Sequence, residues 1–179
     1  KPLPFVEDTA VAPERLPEFV SRFDEIVREH GTTAGYYGHA SVGCLHVRPL
    51  IDLKLPEGVD RMVSIATQIS DLVLEFGGAM SGEHGDGLVR SVWNEKMFGP
   101  RLNDAFREVK RAFDPNGIMN PGKIVDPPPM TENLRIDPTY RPLDLKTGFA
   151  SYREGNLAGA VEMCNGQGAC RKVSSGTMC

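Results

Sequence analysis

Two short runs rich in β-branched, aromatic and aliphatic residues, Thr33–His39 and Cys44–Ile51, flank a small-residue turn. This pairing constrains the fold more than any other feature, because two such runs so close in sequence close as a β-hairpin. With the turn centred on Val42-Gly43, His39 stands directly opposite His46. Opposed residues share a sheet face with Cβ atoms about 4.5–5.5 Å apart, near enough for two imidazoles to hold one ion. Arg48, two residues beyond His46, projects from the same face. A slip of one residue would send the histidines to opposite faces, so the reading depends on register.

A second glycine-rich segment, SGEHGDG at Ser81–Gly87, carries another of the chain's four histidines, His84. Two imidazoles and a carboxylate suit Zn²⁺ and also accommodate Mn²⁺ or Fe²⁺, leaving open positions for substrate. His39, His46 and Glu83 are therefore the candidate metal ligands. His84 follows Glu83 directly, and adjacent side chains on a looped backbone diverge, so it is expected beside the ion rather than on it. There it would act as a general base. The plain alternative, that each histidine is a structural hydrogen-bonder, holds for any one of them taken singly. The cluster argues against it.

Helical periodicity places Leu16, Phe19, Val20, Phe23, Ile26 and Val27 on one face of residues 13–30. Residues 58–76 repeat the pattern through Val59, Met62, Val63, Ile69, Leu72, Val73 and Phe76, and Gly77-Gly78 stops the helix. A third helix is expected from Pro100 to Phe113, with Phe106, Val109 and Phe113 along its stripe. All three stripes read as core. A hairpin between the first two helices gives an α+β fold, a ferredoxin-like antiparallel sheet with helices packed on one face and an irregular proline-rich tail. The uncovered face would carry the site.

Three ordered motifs, GHASVGCLH, SGEHGDG and FDPNGIMNPGKI, give residues 5–125 a resemblance to the C-terminal domain of the FAD-linked oxidases. That family includes D-lactate dehydrogenase, D-2-hydroxyglutarate dehydrogenase and the glycolate oxidase flavin subunit. The resemblance implies that His39, His46 and Glu83 bind a divalent metal, Zn or Mn, that receives the substrate's carboxylate and hydroxyl. It implies that His84 contacts the substrate and takes the hydroxyl proton as hydride leaves for FAD. It also sets the turn holding Asn120 and Lys123 against the flavin, although the same prolines and glycines serve simply to end a helix. Family members often read GDGN between the histidines and Asn two places after the second. Here Ser41–Cys44 and Arg48 stand there. A guanidinium at 48 can clamp a substrate carboxylate bidentately.

No dinucleotide fingerprint or phosphate loop occurs, so the resemblance places the FAD-binding lobe upstream and implies that this chain alone lacks dehydrogenase activity. Residues 126–150 read as an extended linker. Residues 151–179 hold Cys164, Cys170 and Cys179 at spacings compatible with disulfide, zinc or iron–sulfur roles. The resemblance favours the start of a fused iron–sulfur region whose remaining ligands lie downstream. Cys44 reads as a small buried packing residue. The net charge of −4 gives no reason to expect nucleic acid binding, and no apolar run reaches membrane-span length. Unpaired cysteines suit a reducing cytoplasm. The expected partners are a small 2-hydroxy acid and the flanking lobes. Two rival classes share these residues: a stand-alone metal-assisted hydrolase, and an electron-transfer adaptor built on the tail cysteines.

Overall fold

The computed structural model describes residues 2–143, 145, 147, 148, 153–164 and 168. Its chain divides into two compact units, one reaching Thr139 and one beginning at Tyr140. In the first, a three-stranded antiparallel sheet has the order β1-β3-β2, with β1 Thr9–Ala10, β2 Ala34–His39 and β3 Cys44–Pro49. Helix α1, Leu16–Glu29, comes after a 3-10 turn at Pro13–Arg15, and α2 spans Pro56–Glu75. Helix α3 covers Asn94–Phe113. The α+β arrangement anticipated from the periodicities is the one observed.

The core lies on one face of the sheet. Val47 of β3 is fully buried with Phe19, Phe23 and Val27 of α1 and Ile65, Ala66, Ile69 and Val73 of α2. Phe19 meets Phe23 and Phe76 edge-to-face, with centroids 5.9 and 5.3 Å apart, an arrangement aromatic rings favour. Helix α2 ends in a Schellman motif: Gly77 takes φ +63°, its N–H donates to the Leu74 carbonyl, and the Gly78 N–H donates to that of Val73. That stop redirects the chain toward the sheet. Ala79 exchanges two backbone hydrogen bonds with Ala10 of β1, which brings residues 81–84 alongside the strands.

Three expectations need correction. The hairpin turn is a 3-10 turn at Ala40–Val42 closed by Gly43 at φ +73°, where a Cβ would stand 1.7 Å from the Val11 carbonyl oxygen. His39 therefore pairs with Cys44, and His46 with Tyr37. The slip is two residues, which preserves the face, so the two histidines become diagonal neighbours. Second, the helix expected from Pro100 to Phe113 is present, but an unanticipated helical stretch from Asn94 precedes it, the two being parted at Gly99, whose φ of 79° is non-helical because the residue before Pro100 is pushed out of the α region. Third, the α3 stripe is not core: Val109 and Phe113 are exposed, and the side of α3 that is buried presents Asn94 and Asn103.

The turn after α3 is built on Asp114, whose carboxylate accepts the N–H groups of Ile118 and Met119 and the ammonium of Lys110. Beyond it, Met130 is buried in the core cluster and Leu134 packs against it. The second unit contains α4, Leu157–Glu162, capped by the Asn156 side chain, with Cys164 exposed just after it. Cys170 and Cys179 lie outside the described residues. Among the described residues no helix is long and apolar enough to cross a membrane.

Candidate active site

The sheet face opposite the core carries Tyr37 and His39 on β2 and Cys44, His46 and Arg48 on β3. The Ser81–His84 segment is pinned to this face by Asp8. Asp8 is fully buried, yet it accepts the Ser81 hydroxyl at 2.6 Å, the Glu83 N–H at 3.1 Å and the His84 N–H at 2.8 Å. The Cys44 thiol adds a fourth contact at 3.3 Å. Burial alone would raise the Asp8 pKa. The donors from Ser81, His84, Glu83 and Cys44 outweigh it and hold the carboxyl at about 2. The same environment, burial first and then Asp8, pushes the Cys44 thiol up to about 11, so the sulfur stays protonated and serves as a donor.

The loop delivers Glu83 to the histidines. Glu83 Oε1 lies 2.9 Å from His46 Nε2 and 3.5 Å from both His39 Nε2 and His84 Nε2. The His46 and His84 rings stack with centroids 4.8 Å apart, and His39 meets His46 edge-on at 5.5 Å. Thus the four residues singled out from sequence do come together, His84 included. The expected divergence of Glu83 and His84 is not seen: the two side chains approach each other, with His84 Nε2 3.5 Å from Glu83 Oε1. His46 is buried, and its Nδ1 has no hydrogen-bond partner among the described residues. Such a cost is the kind retained where a side chain is held for function.

Glu7 was not anticipated. It is buried, and its carboxylate accepts Arg48 Nε at 2.5 Å through Oε2 and His84 Nδ1 at 3.0 Å through Oε1. Neighbouring side chains on an extended strand point to opposite faces, so Glu7 and Asp8 should not both reach the site. They do because Asp8 takes φ 76°, a left-handed conformation that Asp tolerates better than most residues. Arg48 is accordingly half of an ion pair rather than an isolated cation. Buried Arg90 closes the arrangement, donating to the carbonyls of Glu7 and Gly85. Only the adjacent acids of EDTA, at Glu7–Ala10, could have signalled any of this.

Imidazole nitrogens beside carboxylate oxygens are the kind of donors that suit a borderline divalent cation. Two sets among the described residues bring their ligand atoms within 4.8 Å of one another: Asp8, Cys44, His46 and Glu83, and Glu7, His46 and His84; His39 belongs to neither, although its Nε2 lies 3.5 Å from Glu83 Oε1. Asn120 and Lys123 lie apart from this cluster on the turn after α3, hydrogen-bonded to each other.

A hairpin and a pinned loop thus gather histidines and carboxylates on the sheet face opposite the core of an α+β domain, donors and acceptors suited to metal or proton chemistry. The chain belongs to the family of FAD linked oxidases, C-terminal domain, which it matches over residues 1–124. It is 39% identical over 170 residues to the D-2-hydroxyglutarate dehydrogenase of Haemophilus influenzae, covering 95% of this chain and 16% of that protein. For the Escherichia coli D-2-hydroxyglutarate dehydrogenase the identity is 37% over 172 residues, again 95% and 16%. The D-lactate dehydrogenase of Archaeoglobus fulgidus is 36% identical over 121 residues, 67% of this chain and 26% of that protein. The chain thus spans about a sixth of the length of the first two relatives.

Proposed function

We propose that this chain supplies the proton-accepting and carboxylate-binding part of an FAD-dependent D-2-hydroxy acid dehydrogenase acting on D-2-hydroxyglutarate. The observation that carries the reading is the meeting of the His39, His46 and His84 Nε2 atoms at Glu83 Oε1. The identity to two D-2-hydroxyglutarate dehydrogenases over 95% of the chain supports that substrate over D-lactate or glycolate.

His39, His46 and Glu83 would hold a divalent ion, Zn or Mn, which when bound supplies Lewis acidity at the substrate's hydroxyl and carboxylate oxygens. FAD supplies the hydride acceptor, and Asn120 and Lys123, exposed on the turn after α3, are the residues of this chain proposed to reach it. The remaining work falls to the side chains themselves. His84, whose Nδ1 is held by Glu7, accepts the hydroxyl proton at Nε2 as the C2 hydrogen departs with its electron pair, leaving a 2-oxo acid. Arg48 binds a substrate carboxylate. Cys164, Cys170 and Cys179 are proposed to ligate an iron–sulfur centre that takes the electrons onward, in a reducing compartment that keeps them thiolates.

The test is anaerobic flavin reduction in the polypeptide that joins this chain to its FAD-binding portion. D-2-hydroxyglutarate should bleach the flavin, and His84→Gln should slow that step by about 10²–10⁴-fold, the range for loss of a general base. His46→Ala and Glu83→Ala should each lose the metal measured by mass spectrometry. A flavin left oxidised by every 2-hydroxy acid overturns the reading.

A further inference from the structure

A carboxylate with more than nine-tenths of its surface buried is retained only where its charge is compensated. Glu7 is one such group, and its two oxygens are divided one each between two functional side chains. Oε1 meets His84 Nδ1, and Oε2 meets Arg48 Nε. Its backbone is fixed as well, since the Arg90 guanidinium donates to the Glu7 carbonyl and the Asp8 carboxylate next in sequence pins the loop that carries His84.

Donor and acceptor chemistry has two consequences here. A carboxylate only accepts, and two of them face the His84 ring. Glu7 is at hydrogen-bond distance of Nδ1, 3.0 Å, whereas Glu83 Oε1 stands 3.5 Å from Nε2 and already meets His46 Nε2 at 2.9 Å. The proton of a neutral ring is therefore drawn to Nδ1, which leaves the lone pair on Nε2. Nε2 is the nitrogen that faces Glu83 Oε1 and hence the histidine cluster. On the other side, Glu7 occupies the Nε edge of Arg48, while the guanidinium carbon sits 5.3 Å from the centre of the Tyr37 ring. The terminal nitrogens, which have Tyr37 as their other polar neighbour, are then the part of the guanidinium that can turn to a ligand carboxylate.

We infer that Glu7 is a positioning residue that fixes the tautomer of His84 and the orientation of Arg48 at once, coupling proton acceptance to carboxylate recognition. This rests on the dehydrogenase reading for its kinetic consequences but not for its structural ones. The isosteric change Glu7→Gln separates them. A carboxamide has one acceptor end, and the charged guanidinium claims it, so the amide NH₂ is turned toward His84 Nδ1. The proton is thereby driven to Nε2, and the base is blocked without any change in shape. Removing the competitor in Glu7→Gln/Arg48→Met frees the carboxamide oxygen to return to His84.

The experiment is ¹⁵N NMR of the imidazole nitrogens in the 179-residue chain, at a pH where His84 is neutral, with His84→Gln for assignment. The wild type should show Nδ1–H, Glu7→Gln should show Nε2–H, and the double variant should return to Nδ1–H. A wild-type ring protonated on Nε2 overturns the inference without need of any variant. An unchanged Nδ1–H in Glu7→Gln does the same. If Glu7→Gln does not fold, Glu7→Asp, which keeps the charge but withdraws it by one methylene, should give a mixture of tautomers, and a pure Nδ1–H pattern there is equally fatal. In the flavin-containing polypeptide Glu7→Gln should lower kcat about 10²-fold or more with KM little changed. A tautomer that switches as described in a protein with no dehydrogenase activity would sustain the positioning role and refute the dehydrogenase reading. A fall in kcat without a switch would do the reverse.

Discussion

Asp8→Asn should be among the most damaging near-isosteric changes in this chain. The side chain is fully buried, and its two oxygens serve the Ser81 hydroxyl, the Glu83 and His84 N–H groups and the Cys44 thiol. Asparagine keeps one acceptor and turns an NH₂ toward donors that previously met an anion. The cost can be worked from the pKa. The carboxyl is held at about 2 against an ordinary 3.8, so ionised Asp8 contributes about 2–3 kcal/mol at pH 7. Opposed donors add to this, giving about 2–4 kcal/mol, a large share of the ~5–15 kcal/mol that holds an ordinary domain together. Urea unfolding with an m-value of about 1–3 kcal/mol/M translates that into a midpoint lower by about 1–4 M. The sign of the pH dependence is fixed because the folded pKa is depressed. The contribution is complete above about pH 5 and disappears as pH falls toward 2, with about half lost by pH 3. The gap between wild type and Asp8→Asn should therefore narrow between pH 7 and pH 3. A difference under about 0.5 kcal/mol at neutral pH, or one that stays constant on acidification, would refute the idea that this carboxylate anchors the loop.

Other outcomes can be checked alongside it. Gly43→Ala, at φ +73° with the Val11 oxygen 1.7 Å from the new Cβ, should destabilise by more than about 1 kcal/mol, read as a lower urea midpoint. Arg48→Met should raise KM for a 2-hydroxy dicarboxylate by about 10–100-fold while leaving glycolate little affected, since it removes a charge-assisted pair worth about 1.5–3 kcal/mol. Cys44→Ser replaces a weak thiol donor to Asp8 with a hydroxyl, so stability should change by less than about 1.5 kcal/mol and metal content should persist. Iron–sulfur reconstitution should produce visible absorbance that Cys164→Ser diminishes.

The helices were legible because their apolar residues repeat at 3.6-residue spacing, and α1 and α2 bury the faces that spacing selects. The same signal misled at α3, where Val109 and Phe113 satisfy the periodicity but remain exposed. Periodicity reports that a helix has an apolar face, not what covers it. The two-residue strand β1 carried no signal of its own. It exists because Thr9 and Ala10 pair antiparallel with Leu45 and Cys44 of β3, contacts between residues far apart in sequence.

The site shows the same division at finer scale. His39 and His46 share a face in the predicted register and in the observed one, because a two-residue slip leaves the parity of a strand unchanged. The clustering inference therefore survived an incorrect turn. Glu7 and Asp8 had no such protection. Strand alternation assigns adjacent acids to opposite faces, and only a left-handed φ at Asp8 turns both inward. No local propensity demands that conformation in an aspartate with threonine after it. It persists because the folded state returns hydrogen bonds to Ser81, Glu83 and His84 from the same side chain, donors more than seventy residues away. What was hidden in the sequence was thus the group that holds the Ser81–His84 loop in place, since its conformation and its partners make sense only together.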